Sequence, residues 1–155
     1  NYCVMRIGKT YSDDLNDGTI ISKFLNDIVK KQKFFYGAED QIFNPLYVKD
    51  LIKIIIFYLK NNIVGTYNVG GPQSFSRFKL LNIFLKSAKK IITKNYSPII
   101  IKTKLSSIKL LEKRPLNVSM NVNKLRKTIN FKLCSIKEIQ KKIITINNAH
   151  KIKRR

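Results

Sequence analysis

The hydrophobic positions fall into short runs that alternate between two periods. Tyr2 to Ile7 is apolar and partly β-branched, and Gly8 closes it, which suits a buried strand of a parallel sheet. A loop rich in Asp and Asn follows. From Thr19 to Gln32 the residues Ile20, Ile21, Phe24, Leu25, Ile28 and Val29 recur at helical spacing, with Asp17 available to cap the first backbone amides. Phe34 to Tyr36 and Ile42 to Val48 read as short extended segments around a turn at Gly37 to Asp40. Pro45, which donates no ladder hydrogen bond, points to edge strands or an ordered loop. Leu51 to Lys60 is apolar on nearly every side except Lys53 and Lys60, the pattern of a helix held between layers, and Asp50 stands where it favours the positive helix N-terminus.

Thr66 to Val69 is a further short strand, ended by Gly70, Gly71 and Pro72. Ser74 or Ser76 can cap a helix running to about Lys89 with Phe78, Leu81 and Leu85 inward. Ile99 to Lys104 is strand-like, and Val122 to Thr128 is a short helix entered through Asn121. Ser135 and Glu138 form a capping box for a last helix carrying Ile136, Ile139 and Ile143, before a basic tail that should fray. No repeat or linker divides residues 1–155, and strands separated by helices imply an α/β layer. The order reads as starting midway. A doubly wound sheet that binds a dinucleotide opens with a strand, a glycine-rich turn and a helix N-terminus, and neither Gly-x-Gly-x-x-Gly nor Gly-x-x-Gly-x-x-Gly occurs here.

Composition changes this picture at one point. A chain of 155 residues with 44% hydrophobic and 26% charged residues has the means to bury a core. Its 31 Lys and Arg against 9 Asp and Glu give a formal charge of +22, a field that draws nucleic acid and anionic surfaces whatever the fold. Ile, Lys and Asn supply about 40% of the residues, all with A/T-rich codons, so genome bias alone accounts for such an excess. The lysines are scattered, whereas nucleic-acid binders gather them beside stacking aromatics. No specific nucleic-acid partner is expected.

The candidate chemistry is sparse. Cys3 and Cys134 lie far apart without a second ligand at metal spacing, so reduced thiols and no metal are expected. Leu51 to Leu59 is about half the length a bilayer needs, so no membrane span is expected. Gly70 and Gly71 before Pro72 serve a tight turn more readily than a phosphate cradle. His150 stands in the basic tail with no carboxylate or nucleophile nearby in sequence to form a pair. Tyr-x-x-x-Lys, which pairs a phenol acid with a lysine that lowers its pKa, is absent, so no catalytic residue can be named.

Four stretches carry a family resemblance. Val4 to Ser12 resembles the strand-to-loop segment that follows the catalytic Tyr and Lys in extended short-chain dehydrogenases/reductases, where Arg-Thr-Ser-Trp-Val-Tyr-Gly is common. Asp40-Gln41-Ile42-Phe43-Asn44-Pro45-Leu46-Tyr47-Val48-Lys49-Asp50-Leu51 is similar to the Asp-Gln-x-Gly-Ser-Pro-Thr-Tyr-x-x-Asp-Leu of dTDP-4-dehydrorhamnose reductases. Sugar-nucleotide epimerases usually have a diphosphate-binding Arg where Phe43 stands, and a phenyl ring cannot make that bidentate contact. Gly65 to Pro72, followed by Phe75 to Leu85, is similar to the family's Gly-x-Tyr-His-x-x-Gly strand and succeeding helix. Arg114-Pro115-Leu116-Asn117-Val118-Ser119-Met120 before Lys124-Leu125 resembles Arg-Pro-x-x-Ser-x-Leu-x-x-x-Lys-Leu.

The resemblance implies an α/β fold: the C-terminal part of a Rossmann-like doubly wound sheet plus a small mixed substrate-binding subdomain. The dinucleotide-binding half and the catalytic Tyr and Lys are then expected upstream of Asn1. It implies NAD(P)H, bound mainly by that other half, with Ile7 and Gly8 beside the nicotinamide. It implies a nucleotide-sugar substrate met by Lys9, Thr10, Tyr11, Gln41, Asn44, Pro45 and Arg114, with Lys9 in place of a Trp that faces the sugar. A cytoplasmic reductase of a 4-keto-6-deoxysugar in cell-surface polysaccharide synthesis is the expected role, with a homodimer as a candidate assembly. Scaffold roles stay open: Pro45 as a turn, Asp50 as a helix-start anion, Arg114 as a surface ion pair, and Gln41 and Asn44 as amides closing their own loop. The alternatives are a noncatalytic basic binding module for nucleic acid or anionic surfaces, and a degenerate reductase homologue.

Overall fold

Strand and helix alternate along the chain because apolar runs of period two give way repeatedly to runs of period 3.6. The computed structural model describes residues 2–14, 16–91, 96–109 and 112–140. The strands are β1 (Cys3–Ile7), β2 (Thr10–Tyr11), β3 (Phe34–Ala38), β4 (Ile42–Phe43), β5 (Leu46–Tyr47), β6 (Gly65–Val69), β7 (Phe75–Ser76) and β8 (Ile99–Thr103). The helices are α1 (Ile20–Val29), α2 (Val48–Lys60), α3 (Arg77–Ile91) and α4 (Asn123–Thr128), and residues 136–140 are also helical.

The expected α/β architecture with parallel strands is present. β1 runs parallel to β6 from Cys3 against Gly65 to Ile7 against Val69, and β3 parallel to β8 from Phe34 against Ile99 to Ala38 against Thr103. β2 pairs parallel with β5, and β4 pairs antiparallel with β7. α3 packs on β3, β8 and α1, while α4 packs on β6.

Two apolar cores hold these layers. One gathers Tyr11, Ile21, Phe24, Phe35, Phe43, Leu81 and Phe84 between α1, α3 and the strands beneath them. The other gathers Leu46, Ile54, Tyr58, Val69, Leu125 and Leu133. Each buried Leu, Ile or Phe contributes roughly 1.5–3 kcal/mol of transfer free energy.

Local details depart from the expectations in ways that have physical causes. Thr19, not Asp17, caps α1, its hydroxyl accepting from the Ser22 amide at 3.2 Å. Asp17 instead takes the Thr19 amide at 2.9 Å and the Ser12 amide and hydroxyl at 2.9 and 2.8 Å. Burial would raise its pKa, but these hydrogen bonds outweigh that and hold it at about 2. α2 begins at Val48, earlier than expected, and is not sandwiched: Ile52, Ile56 and Leu59 are exposed, and among the described residues it buries Asp50, Ile54 and Tyr58. Phe78 is only half-buried, and Leu80, Leu81, Phe84 and Leu85 carry the inward face of α3. The capping box is present, with Ser135 N–H donating to Glu138 at 2.6 Å and Glu138 N–H to Ser135 Oγ at 3.3 Å. The expected positions of Ile143, His150 and the basic tail lie outside the described residues.

Candidate functional site

The short strand β4 is the hub. On one side Ile42 and Phe43 pair with Ser76 and Phe75 of β7. On the other, Ile42 N–H donates to Leu116 O at 2.6 Å and Val118 N–H to Ile42 O at 2.9 Å, which lays residues 116–118 along it. Arg77 N–H donates to Gln41 O at 3.0 Å, Leu46 N–H to Lys9 O at 2.9 Å, and Gly8 N–H to Val69 O at 2.8 Å. Residues 7–11, 41–47, 69–77 and 114–120, distant in sequence, therefore meet in one place.

Beneath this meeting point lies a buried clamp. Asn44 is 2% exposed. Its Nδ2 donates to Gly71 O at 3.2 Å and Met120 O at 3.3 Å, its Oδ1 accepts from Met120 N at 3.1 Å, and its own carbonyl accepts from Gly71 N at 3.2 Å. A Cβ on Gly71 would stand 1.9 Å from Pro45 O, and one on Gly70 would stand 2.5 Å from Asn44 Nδ2. The glycine pair exists because the loop between β4 and β5 lies directly against it.

The sequence-predicted residues separate into two groups. Tyr11, Gln41, Asn44 and Pro45 are buried as the scaffold of the site. Tyr11 packs 5.6 Å from the Tyr47 ring, and burial, followed by the charge of Asp50, pushes its phenol above the ordinary value. Thr10 is partly buried in β2 opposite Leu46. Ile7 and Arg114 are exposed, and Lys9 is partly buried. Ile7 is 49% exposed at the end of β1, with Gly8 next to it. Lys9 Nζ stands over the Phe43 ring, 5.2 Å from its centroid, and Arg114 is exposed at the start of the segment that joins β4. Arg114 also borders a cleft of about 470 Å³ together with Leu105, Ile108 and Leu116.

Asp50 takes the scaffold role. It is buried in the first turn of α2 and accepts from Cys134 N–H at 2.6 Å. Arg77 is the residue that sequence reasoning missed. Its guanidinium lies 5.6 Å from the Phe24 ring centroid, and its Nε is buried with no hydrogen-bond partner among the described residues. A usable signal was present: a cation at the first position of a helix opposes the positive end of the helix dipole and calls for an explanation.

The residues present do not fit the phosphates of a dinucleotide. The volume above the glycine pair is filled by Asn44 and Pro45, which leaves no room there for a pyrophosphate. Ile7, half exposed, offers a surface at the end of β1. Among the described residues no group of three His, Cys, Asp or Glu side chains is placed to hold a metal ion, and no helix is long and apolar enough to cross a membrane.

No protein-family model matches the chain. UDP-glucuronic acid decarboxylase 1 of Arabidopsis thaliana is 28% identical over 98 residues, 61% of this chain and 22% of that protein. Among solved structures, dTDP-4-dehydrorhamnose reductase of Bacillus anthracis in complex with NADP superposes with a TM-score of 0.73 at 20% identity, covering 94% of this chain and 49% of that one. UDP-N-acetylglucosamine 4-epimerase of Methanobrevibacter ruminantium in complex with UDP-N-acetylmuramic acid gives 0.65 at 21% identity, over 96% and 47%. The chain spans about half the length of these solved proteins and has the Rossmann-like α/β fold of the extended short-chain dehydrogenases/reductases, the fold shared by these enzymes of nucleotide-linked sugars.

Proposed function

We propose that this chain is the substrate-side part of an NAD(P)-dependent enzyme of nucleotide-linked sugars, closest in kind to the reductases of 4-keto-6-deoxysugars. The observation that carries the reading is the meeting of residues 7–11, 41–47 and 114–120 around β4. The same stretches resemble the loops of dTDP-4-dehydrorhamnose reductases, and they carry two cations suited to an anionic substrate, Lys9 and the exposed Arg114. The bordering cleft of about 470 Å³ is of ordinary size for a small-ligand pocket.

In this reading the dinucleotide and the proton donor are held by another half, and this chain supplies the wall that binds and orients the sugar nucleotide. The exposed apolar residues Val4 and Ile7 of β1, with Tyr2 beside them, support a surface that continues into that half, because such a patch on a strand is costly in water. The role in cell-surface polysaccharide synthesis and the cytoplasmic location follow the same resemblance.

The test is a titration of the purified chain with dTDP- and UDP-linked sugars at fixed ionic strength, with NADPH oxidation followed in parallel. Selective binding of nucleotide sugars over the free sugars, with no NADPH oxidation by the chain alone, is the expected result. The formal charge of +22 favours one rival, a basic module that binds polyanions through charge. Binding that collapses as salt rises and ignores the sugar and base would favour that rival and end the enzyme reading.

A further inference from the structure

We propose that the cleft between α3 and the helix at residues 136–140 binds a small organic phosphate that also carries a hydroxyl or N–H hydrogen. The site is separate from the one around β4 and does not depend on the nucleotide-sugar reading.

α3 sets the geometry. Arg77 lies on the face of this helix that meets Phe24. Lys79, Asn82, Ile83 and Lys86 recur at i, i+3, i+4 and i+7 on the opposite face, and there they border a cleft of about 690 Å³. Residues 73–75, Lys137 and Gln140 line it as well, and none of its lining residues belongs to 7–11, 41–47 or 114–120. The volume suits a small ligand, and Phe75 and Ile83 give it an apolar patch.

Gln140 carries the inference. Its residue is 7% exposed, and its Oε1 is buried with no hydrogen-bond partner among the described residues. An amide oxygen that has given up water without gaining a donor is costly, and few survive in a folded protein without a purpose. The terminal amide turns about a soft torsion, so an O–H or N–H brought into the cleft can supply the missing donor.

The charge of the cleft selects the rest of the ligand. Exposed lysines are ordinary by themselves. Here Lys79, Lys86 and Lys137 border one concavity, no carboxylate lines it, and none of the three is in an ion pair among the described residues. Glu138, the acid beside Lys137 in sequence, is held by the Ser135 amide and Lys132. A phosphate monoester carries nearly two negative charges at neutral pH and engages more than one ammonium, where a carboxylate brings a single charge.

The experiment titrates the full chain with glucose 1-phosphate, inorganic phosphate, glucuronate and glucose at one ionic strength. Saturable binding of glucose 1-phosphate, tighter than that of the other three, is expected. Lys79→Gln and Lys86→Gln should each weaken it about five- to tenfold. Lys60→Gln, an exposed charge elsewhere, should change it less than about twofold. Gln140→Met should erase the preference for glucose 1-phosphate over inorganic phosphate. Its thermal midpoint should not fall, because the substitution removes an unsatisfied buried oxygen, whereas a purely structural amide would lower the midpoint when lost. A preference that survives Gln140→Met, or no saturation by glucose 1-phosphate below about 10 mM, would overturn the site. Glucuronate binding as tightly as glucose 1-phosphate would overturn its assignment to a phosphate. A Lys60→Gln loss equal to that of Lys86→Gln would overturn it in favour of diffuse charge, and an equal loss in Arg114→Gln would move the ligand to the β4 site.

Discussion

Gly71→Ala should lower stability by about 3 kcal/mol or more, because the added methyl cannot be accommodated by a side-chain movement. Its Cβ would lie 1.9 Å from Pro45 O and 2.8 Å from Pro45 C, and both are backbone atoms of a buried loop. Relief requires the loop between β4 and β5 to move off the turn, which breaks the Gly71 N–H bond to Asn44 O at 3.2 Å and strips the clamp that holds residues 114–120 against β4. In a domain of this length a loss of that size lowers the melting midpoint by roughly 6–12 °C. Calorimetry of the variant beside Gly18→Ala gives the comparison, since a Cβ at Gly18 meets nothing within 4 Å and only its φ of +69° resists substitution. A Gly71→Ala midpoint within about 2 °C of wild type would mean that the close approach is not real.

Asn44→Ala should cost roughly 2–4 kcal/mol for a different reason. The amide of Asn44 is the partner of Met120 N–H, Met120 O and Gly71 O, all in a part-buried or buried setting, and alanine leaves these groups unpaired. An unsatisfied buried donor or acceptor costs about 1–3 kcal/mol, of which partial relaxation recovers some. Asn44→Asp should not rescue it, since the second carboxylate oxygen would face the two carbonyls that Nδ2 now serves. Urea unfolding of the two variants measures this, and an Asn44→Asp midpoint equal to wild type would show that the amide is not the clamp.

The two substitutions explain why part of the site was legible in the sequence and part was not. The elements themselves could be read, because β1, α1, β6, β8 and the Ser135–Glu138 box rest on local patterns of period, capping and turn residues. The glycine pair could be read as a turn, but not the loop that requires it, because Pro45 is 26 residues away in sequence and only the tertiary fold brings its carbonyl to Gly71. Gln41 and Asn44 carry the same amide chemistry whether they face a ligand or close a loop, and burial alone separates the cases. The structure places both inside. α2 was misjudged for the complementary reason: an apolar residue facing out, such as Leu59 at 73% exposure, looks the same in sequence as one facing a second layer. Arg77 forms no ion pair among the described residues, a property of the folded arrangement that no local pattern in the sequence shows.

Backbone amide NMR of the chain titrated with a dTDP- or UDP-linked sugar at physiological ionic strength tests most directly the central claim, that this fold carries a sugar-nucleotide wall around β4. Saturable shifts confined to residues 7–11, 41–45, 75–78 and 114–120 are the predicted result. Shifts spread over lysines on the outer faces of α1, α2 and α4, growing without saturation and vanishing in salt, would contradict it.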